Sequence, residues 1–287
     1  PKNFRLAPVA GQTTTSEHWL PKAGLIWTPG QDTTLRIGYA ESASGASIDQ
    51  SLQLEPTQVA GFNQSFRSLI PESLAGATSG AEFAAFGAAL QRKFSTHTYL
   101  TVEVGRLTSK LERKVGAFEL TPAGGPFVGS LTEALNFRED YGSISLQQLA
   151  GSSWTFGATY RISRAELKSD QIEVADAAAV GFAPRQTLSG TLQTLELQTL
   201  YQHPSGWFAR IEGLWSHQDL GAALAGLPGD DFWQWNVMTG YRFLQRRATL
   251  TLGVLNVTGE DYHLSPINLS KEAPRNHTFY AKLSLAF

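Results

Sequence analysis

Trp233-Gln-Trp-Asn-Val-Met-Thr-Gly-Tyr-Arg-Phe243 decides how this chain is read. Its odd positions are Trp233, Trp235, Val237, Thr239, Tyr241 and Phe243; its even positions are Gln234, Asn236, Met238, Gly240 and Arg242. A period of two says strand, with one largely apolar face and one largely polar face. At ~3.3 Å per residue the stretch covers about 33 Å. Tilted by about 45° it rises about 23 Å, close to the ~25 Å apolar band of a membrane barrel. Aromatic side chains stand at both margins of the apolar face, where the two interfaces of a bilayer hold them.

The same alternation recurs along the chain. Trp207, Ala209, Ile211, Gly213 and Trp215 alternate with Phe208, Arg210, Glu212, Leu214 and Ser216. Trp154, Phe156, Ala158, Tyr160 and Ile162 alternate with Thr155, Gly157, Thr159, Arg161 and Ser163. Weaker copies run through 23–27, 35–40, 84–91, 100–105, 195–202 and 248–255. The chain closes on Phe279-Tyr-Ala-Lys-Leu-Ser-Leu-Ala-Phe287. Short links at 29–33, 95–98, 151–153, 204–206 and 245–247 alternate with long stretches at 41–81, 107–135, 165–189, 217–230 and 257–275. Short turns at one end and long loops at the other describe an outer-membrane barrel with periplasmic turns and outward loops. The expectation is a single all-β domain over 1–287. It is a transmembrane, antiparallel, up-and-down barrel of about twelve strands, possessing eleven clear strands and a weaker one near Phe4–Val9, with a long outward loop at 41–81.

Composition agrees. Charged residues are 17% of the 287, below the ~25% of ordinary soluble domains. No run approaches the ~20 apolar residues of a membrane helix. A net charge of −2 gives no reason to expect nucleic acid. The absence of cysteine removes disulfides and thiol chemistry. No leader with a basic start and an apolar run is visible. Soluble sandwiches and lipocalin-like barrels also alternate, but they have no need of aromatic margins on the apolar face.

The tail carries a resemblance. Leu255-Asn-Val-Thr-Gly-Glu-Asp-Tyr262, then Pro274-Arg275, then Phe279 through Phe287 resembles the last two strands of TonB-dependent receptors. That family shows an Asn-Leu-Phe-Asp-like turn closed by Tyr, a Pro-Arg before the last strand and a terminal Phe. Leu54-Glu-Pro-Thr-Gln-Val-Ala-Gly-Phe-Asn-Gln64 is similar to a stretch of receptor-like barrels, some of which follow tetratricopeptide repeats. The resemblance implies a Gram-negative outer-membrane protein for transport or capture. It also implies recognition of the final strand, ending at Phe287, by the barrel-assembly machinery. No plug domain and no segment for the inner-membrane energy protein is recognisable. The family's barrels have 22 strands, so the expectation is either the carboxyl-terminal part of a larger barrel or a smaller barrel of the same style.

Residue roles follow from the faces. Lys22, Arg36, Glu103, Arg161 and Glu196 are expected to line the lumen, as are Arg210, Glu212, Arg242 and Lys282. Trp27, Trp154, Tyr160, Trp207 and Trp215 are expected in the aromatic girdles, together with Trp233, Trp235, Tyr241, Phe243 and Phe287. Within 41–81, Glu55, Pro56, Phe62 and Asn63 are the candidate loop motif, for a constriction or for ligand capture. The expected surroundings are outer-membrane lipid and lipopolysaccharide, with periplasmic or surface proteins as further partners.

The six histidines are scattered, none at metal-ligand spacing. Neither a metal site nor a cofactor is expected. Ser216-His217 with Asp219 is no catalytic set, because neighbours on a strand point to opposite faces. The expectation is a barrel without enzymatic activity that passes or captures a solute or polymer. The alternative is a non-conducting barrel that anchors a periplasmic or surface assembly.

Overall fold

The computed structural model describes residues 17–43, 58–59, 62–63, 82–121, 124–172, 184–221, 231–244, 247–261 and 276–286. The candidate strand near Phe4–Val9, the loop residues Glu55 and Pro56, and Phe287 lie outside them. The chain begins with β1 (Lys22–Gly30) and β2 (Thr33–Ala43), followed by the two-residue strands β3 (Gln58–Val59) and β4 (Phe62–Asn63). β5 (Glu82–Lys93), β6 (Thr98–Thr121), β7 (Gly124–Ala150) and β8 (Trp154–Gln171) follow. β9 (Arg185–Gln202), β10 (Trp207–Leu220), β11 (Asp231–Phe243), β12 (Ala248–Leu255) and β13 (Thr278–Leu285) complete the order. β3 pairs only with β4; the other strands form one eleven-stranded sheet in sequence order, each antiparallel to the next.

Two sequence expectations are corrected. The stretch 107–135 is not a loop: β6 and β7 run through it as one hairpin, paired from Thr98↔Gln148 up to Thr121↔Gly124. The stretch 165–189 shrinks likewise, because β8 reaches Gln171 and β9 starts at Arg185. Both stretches carry polar residues on the wrong parity for a lipid-facing strand, which is why they read as loops. Among the described residues the sheet holds eleven strands in the expected antiparallel, up-and-down order, and it does not close on itself: β1 and β13 are its edges. Every adjacent pair is antiparallel, so an odd number of strands leaves β1 and β13 running the same way.

Register gives the sheet its shape. One row of paired residues runs Trp27–Leu35–Leu90–Val102–Ile144–Tyr160–Leu195–Trp215–Trp233 across nine strands. Leu35 stands two residues from the short-turn end of β2, whereas Trp233 stands ten residues from that end of β11. The row thus climbs from one margin of the sheet to the other. This stagger is what tilts the strands of a barrel wall.

Several glycines are seats for side chains on the neighbouring strand. A Cβ at Gly105 would strike the Tyr141 ring, at Gly213 the Trp235 ring, and at Gly253 the Tyr280 ring. Each is the direct cross-strand partner of its aromatic residue. Covering a strand glycine with an aromatic ring restores packing where there is no side chain of its own. Gly240 is closed in by backbone as well as by a ring: Phe208 lies over it, and a Cβ would also come within 2.5 Å of the Leu250 carbonyl oxygen. Gly240→Val should therefore cost about 1–3 kcal/mol by overpacking. Gly30→Ala meets nothing within 4 Å and should stay within about 0.5 kcal/mol of wild type. Urea unfolding in detergent or lipid checks both.

Candidate functional site: the two faces of the wall

Apart from register shifts at Trp27/Gly30 in β1 and at Glu119/Thr121 in β6, the register sorts side chains onto two faces from β1 to β13. One face, over the short-turn half of the strands, is an apolar belt. On β10 it shows Trp207, Ala209, Ile211, Gly213 and Trp215; on β12 and β13 it shows Leu250, Leu252, Val254, Phe279 and Leu283. Many of these large apolar side chains are exposed, among them Trp207, Ile211, Leu252 and Phe279. Trp27, Trp154, Tyr160, Trp207 and Trp215 all lie on this face, as do Trp233, Trp235, Tyr241 and Phe243. Trp154 stacks on Phe156 and packs against Tyr201, which meets Trp207 edge-on, making an aromatic cluster at the short-turn margin.

At the other margin the aromatic side chains direct their polar atoms away from the belt. The Tyr160 hydroxyl donates to Gln193 Oε1 at 2.7 Å, and Trp215 Nε1 donates to Asp231 Oδ1 at 2.8 Å. Gln193 and Asp231 belong to the next row up, the first polar one on β9–β11. An aromatic body in the apolar zone with its polar tip in the next layer is the arrangement of a membrane interface.

Beyond that margin the faces exchange character. On β6 the belt face passes from Val102 and Val104 to Arg106, Thr108, Lys110 and Glu112. On β8 it passes from Tyr160 and Ile162 to Arg164, Glu166, Lys168 and Asp170. The opposite face turns apolar at the same level. Leu107, Leu111, Leu135, Phe137, Ala165 and Leu167 form one cluster there, each 4% exposed or less, with Phe83, Ala85, Leu188 and Leu192 packed against it. Apolar outside with polar inside suits lipid; polar outside with apolar inside suits water. The strands β5–β9 therefore leave the membrane and continue as an extension with its own small core. Just above the changeover, burial raises the Asp140 carboxyl pKa. Hydrogen bonds from Arg106 and Arg138 (Nε to Oδ2, 2.7 Å) outweigh that and hold it below the ordinary carboxylate value.

All nine residues expected in the lumen stand on the face opposite the belt. The structure gathers some and leaves others apart. Tyr141, on the Arg161 side of the wall, donates its hydroxyl to Glu103 at 3.0 Å, and the Arg161 guanidinium lies 3.9 Å over its ring. Further along, Arg210 pairs with Glu212 and donates to Gln198 Oε1 at 3.1 Å. Arg242 donates to Gln202 at 3.0 Å and covers the Phe208 ring at 4.6 Å. Lys22 and Lys282 lie on exposed parts of the two edge strands.

Tyr141, Gln198 and Asn236 complete these ladders but escape a search for charge. Tyr141 sits in Asn136-Phe-Arg-Glu-Asp-Tyr141, where the exchange of faces hides the alternation; only the parity of the paired strand exposes it. Phe62 and Asn63 pair with Val59 and Gln58 in the β3–β4 ladder. Ser216 and His217 fall on opposite faces, and His217 Nδ1 lies 3.2 Å from Asp231. Among the described residues no group of three or more acidic or histidine side chains is placed to hold a metal ion.

No protein-family model matches the chain, and neither does any curated protein. Solved structures do. The ferripyoverdine receptor of the outer membrane of Pseudomonas aeruginosa, bound to ferripyoverdine, matches at 12% identity and a TM-score of 0.50, over 82% of this chain and 35% of its own. P. aeruginosa FpvA bound to heterologous pyoverdines matches at 14% identity and 0.50, over 82% and 34%. The fold is that of an outer-membrane β-barrel wall. The chain spans about a third of the length of these receptors. Its belt faces the hydrocarbon of the outer membrane, and its extension stands on the side of the long connections.

The turn in which the tail resembles receptors has a physical basis. Asn256, at φ 54°, receives at its side-chain oxygen the Glu260 N–H at 3.0 Å and donates Nδ2 to the Glu260 carbonyl at 2.8 Å. Its own N–H donates to Asn236 Oδ1 at 2.9 Å, and the Val257 N–H reaches the Trp235 carbonyl at 2.7 Å. The turn is thereby tied to β11. Asn256→Ala removes these side-chain bonds and strains a positive φ, and should cost about 2 kcal/mol or more. The fraction of folded protein on an unheated gel is the readout, with Thr258→Ala expected near wild type.

Proposed function

We propose that this chain forms a sector of an outer-membrane barrel that passes or captures a small polar solute. The observation that carries this reading is the inner face: a water-compatible wall with cations and carboxylates side by side, opposite a lipid belt. Arg210–Glu212 and Glu103–Tyr141–Arg161 present both signs along the same wall. Such a lining favours solutes that carry both donors and acceptors over a strong filter for one sign of ion. The extension of β5–β9, packed on its own small core on the side of the long connections, supports this reading as the collar where capture would begin. No catalytic role is proposed for any residue, and none is needed for passage or capture.

Arg210 offers the cleanest test, because Glu212 is only 15% exposed and Arg210 is its cation among the described residues, with Asn236 Nδ2 donating to it at 3.5 Å. In planar bilayers the full-length protein should open steps of conductance. Arg210→Ala should shift the reversal potential in a salt gradient toward cation selectivity, by uncovering Glu212. A protein that inserts and stays silent, with the variant equally silent, would contradict passage. Specific binding of a solute by that silent protein would leave capture as the surviving form of the proposal.

A further inference from the structure

The rows just above the belt are unlike any others on the outer face. Over β6, β7 and β8 they read Arg106–Asp140–Arg164, then Thr108–Arg138–Glu166, then Lys110–Asn136–Lys168. Five cations face two carboxylates. The next row, Glu112–Ala134–Asp170, reverses the sign. Three rows extend about 14–20 Å along a strand, so on a tilted strand the cationic zone is about as deep as a lipid headgroup layer.

The carboxylates in the zone are already engaged. Asp140 is held by both Arg106 and Arg138, and Glu166 lies 3.0 Å from Lys168. At the β5 margin Glu82 stands in the row of Lys110, 2.9 Å from His18. Arg164 and Lys110 are exposed, and among the described residues no carboxylate pairs with either. On the β9 side the outer face offers only Gln193, Thr191, Ser189 and Thr187.

We infer that this patch binds the phosphates of an outer-leaflet lipid of the lipid A type, with Arg164 and Lys110 as the direct ligands and Arg106 and Arg138 as flanking charge. The occupant is set by position: the patch is continuous with the lipid belt and lies where headgroups begin. It is also set by charge, since phosphate takes charge-assisted hydrogen bonds from guanidinium and ammonium groups strongly beside a low-dielectric layer. A bound lipid anchors the base of the extension and fixes the depth of the wall. The inference needs the belt to face lipid and does not depend on what the lumen passes.

The full-length protein in detergent micelles is titrated with bisphosphorylated lipid A and, separately, with the same lipid stripped of its phosphates. Native mass spectrometry reads the bound fraction. Wild type should prefer the phosphorylated lipid at least tenfold, and the preference should weaken as salt rises. Arg164→Gln with Lys110→Gln should reduce it below threefold, whereas Arg185→Gln, paired with Asp170 higher up, should leave it intact. Equal affinity of wild type for the two lipids overturns the inference, and so does a preference that survives the double substitution. If the double variant fails to fold, the wild-type comparison between the two lipids and its salt dependence still decides.

Discussion

Inside hydrocarbon an unpaired peptide N–H or C=O costs several kcal/mol, because no water is there to replace the missing partner. That constraint shapes everything in this wall. It turns a chain with no long apolar run into eleven strands that each hand their hydrogen bonds to the next. It also defines what the wall needs from its surroundings. β1 and β13 are edges, and they run in the same direction. An antiparallel closure between them takes an odd number of further strands, the outermost of them opposed to β1 and β13. A second copy of the same sheet standing the same way up would meet both edges in parallel. Edge strands whose apolar faces carry Trp27, Phe279 and Leu283 are not built to stay open in lipid.

The membrane's upper limit is written twice in the structure, once on each face. Outside, valine and isoleucine give way to arginine, aspartate and lysine. Inside, serine, threonine and glutamate give way to leucine and phenylalanine. Neither change alone would locate an interface, since lone charges and lone apolar residues occur on any surface. Their coincidence along β6, β7 and β8 does, because one strand cannot present the same face to lipid and to water at comparable free energy. The aromatic side chains agree: Tyr160 and Trp215 reach up, each to a polar partner in the adjoining row.

How far the sequence discloses this depends on the strand. Where a strand stays in one solvent regime from end to end, as β11 does from Trp233 to Phe243, alternation alone gives its face, length and neighbours. Where a strand crosses from lipid to water, the alternation reverses phase and looks like a loop, which is why 107–135 was legible only as a connection. The inner-face charges were legible because a lysine, arginine or glutamate stands out against Gly and Thr. Their grouping was not, since it arises from register: Glu103, Tyr141 and Arg161 come from three strands, and nothing local in Tyr141's surroundings marks it. The glycine seats were equally hidden, because a glycine says nothing of the ring that covers it until its cross-strand partner is known.

The exchange of faces is most directly measured along β8, in a chain that contains no cysteine of its own. Single cysteines from Trp154 to Asp170, spin-labelled in reconstituted bilayers, report contact with dissolved oxygen against contact with a water-soluble nickel chelate. The account predicts oxygen contact at even positions from 154 to 162, water contact at even positions from 164 to 170, and protection from both at 165 and 167. An alternation that keeps one phase through 162 and 164, or nickel contact at 156, 158 and 160, would contradict it.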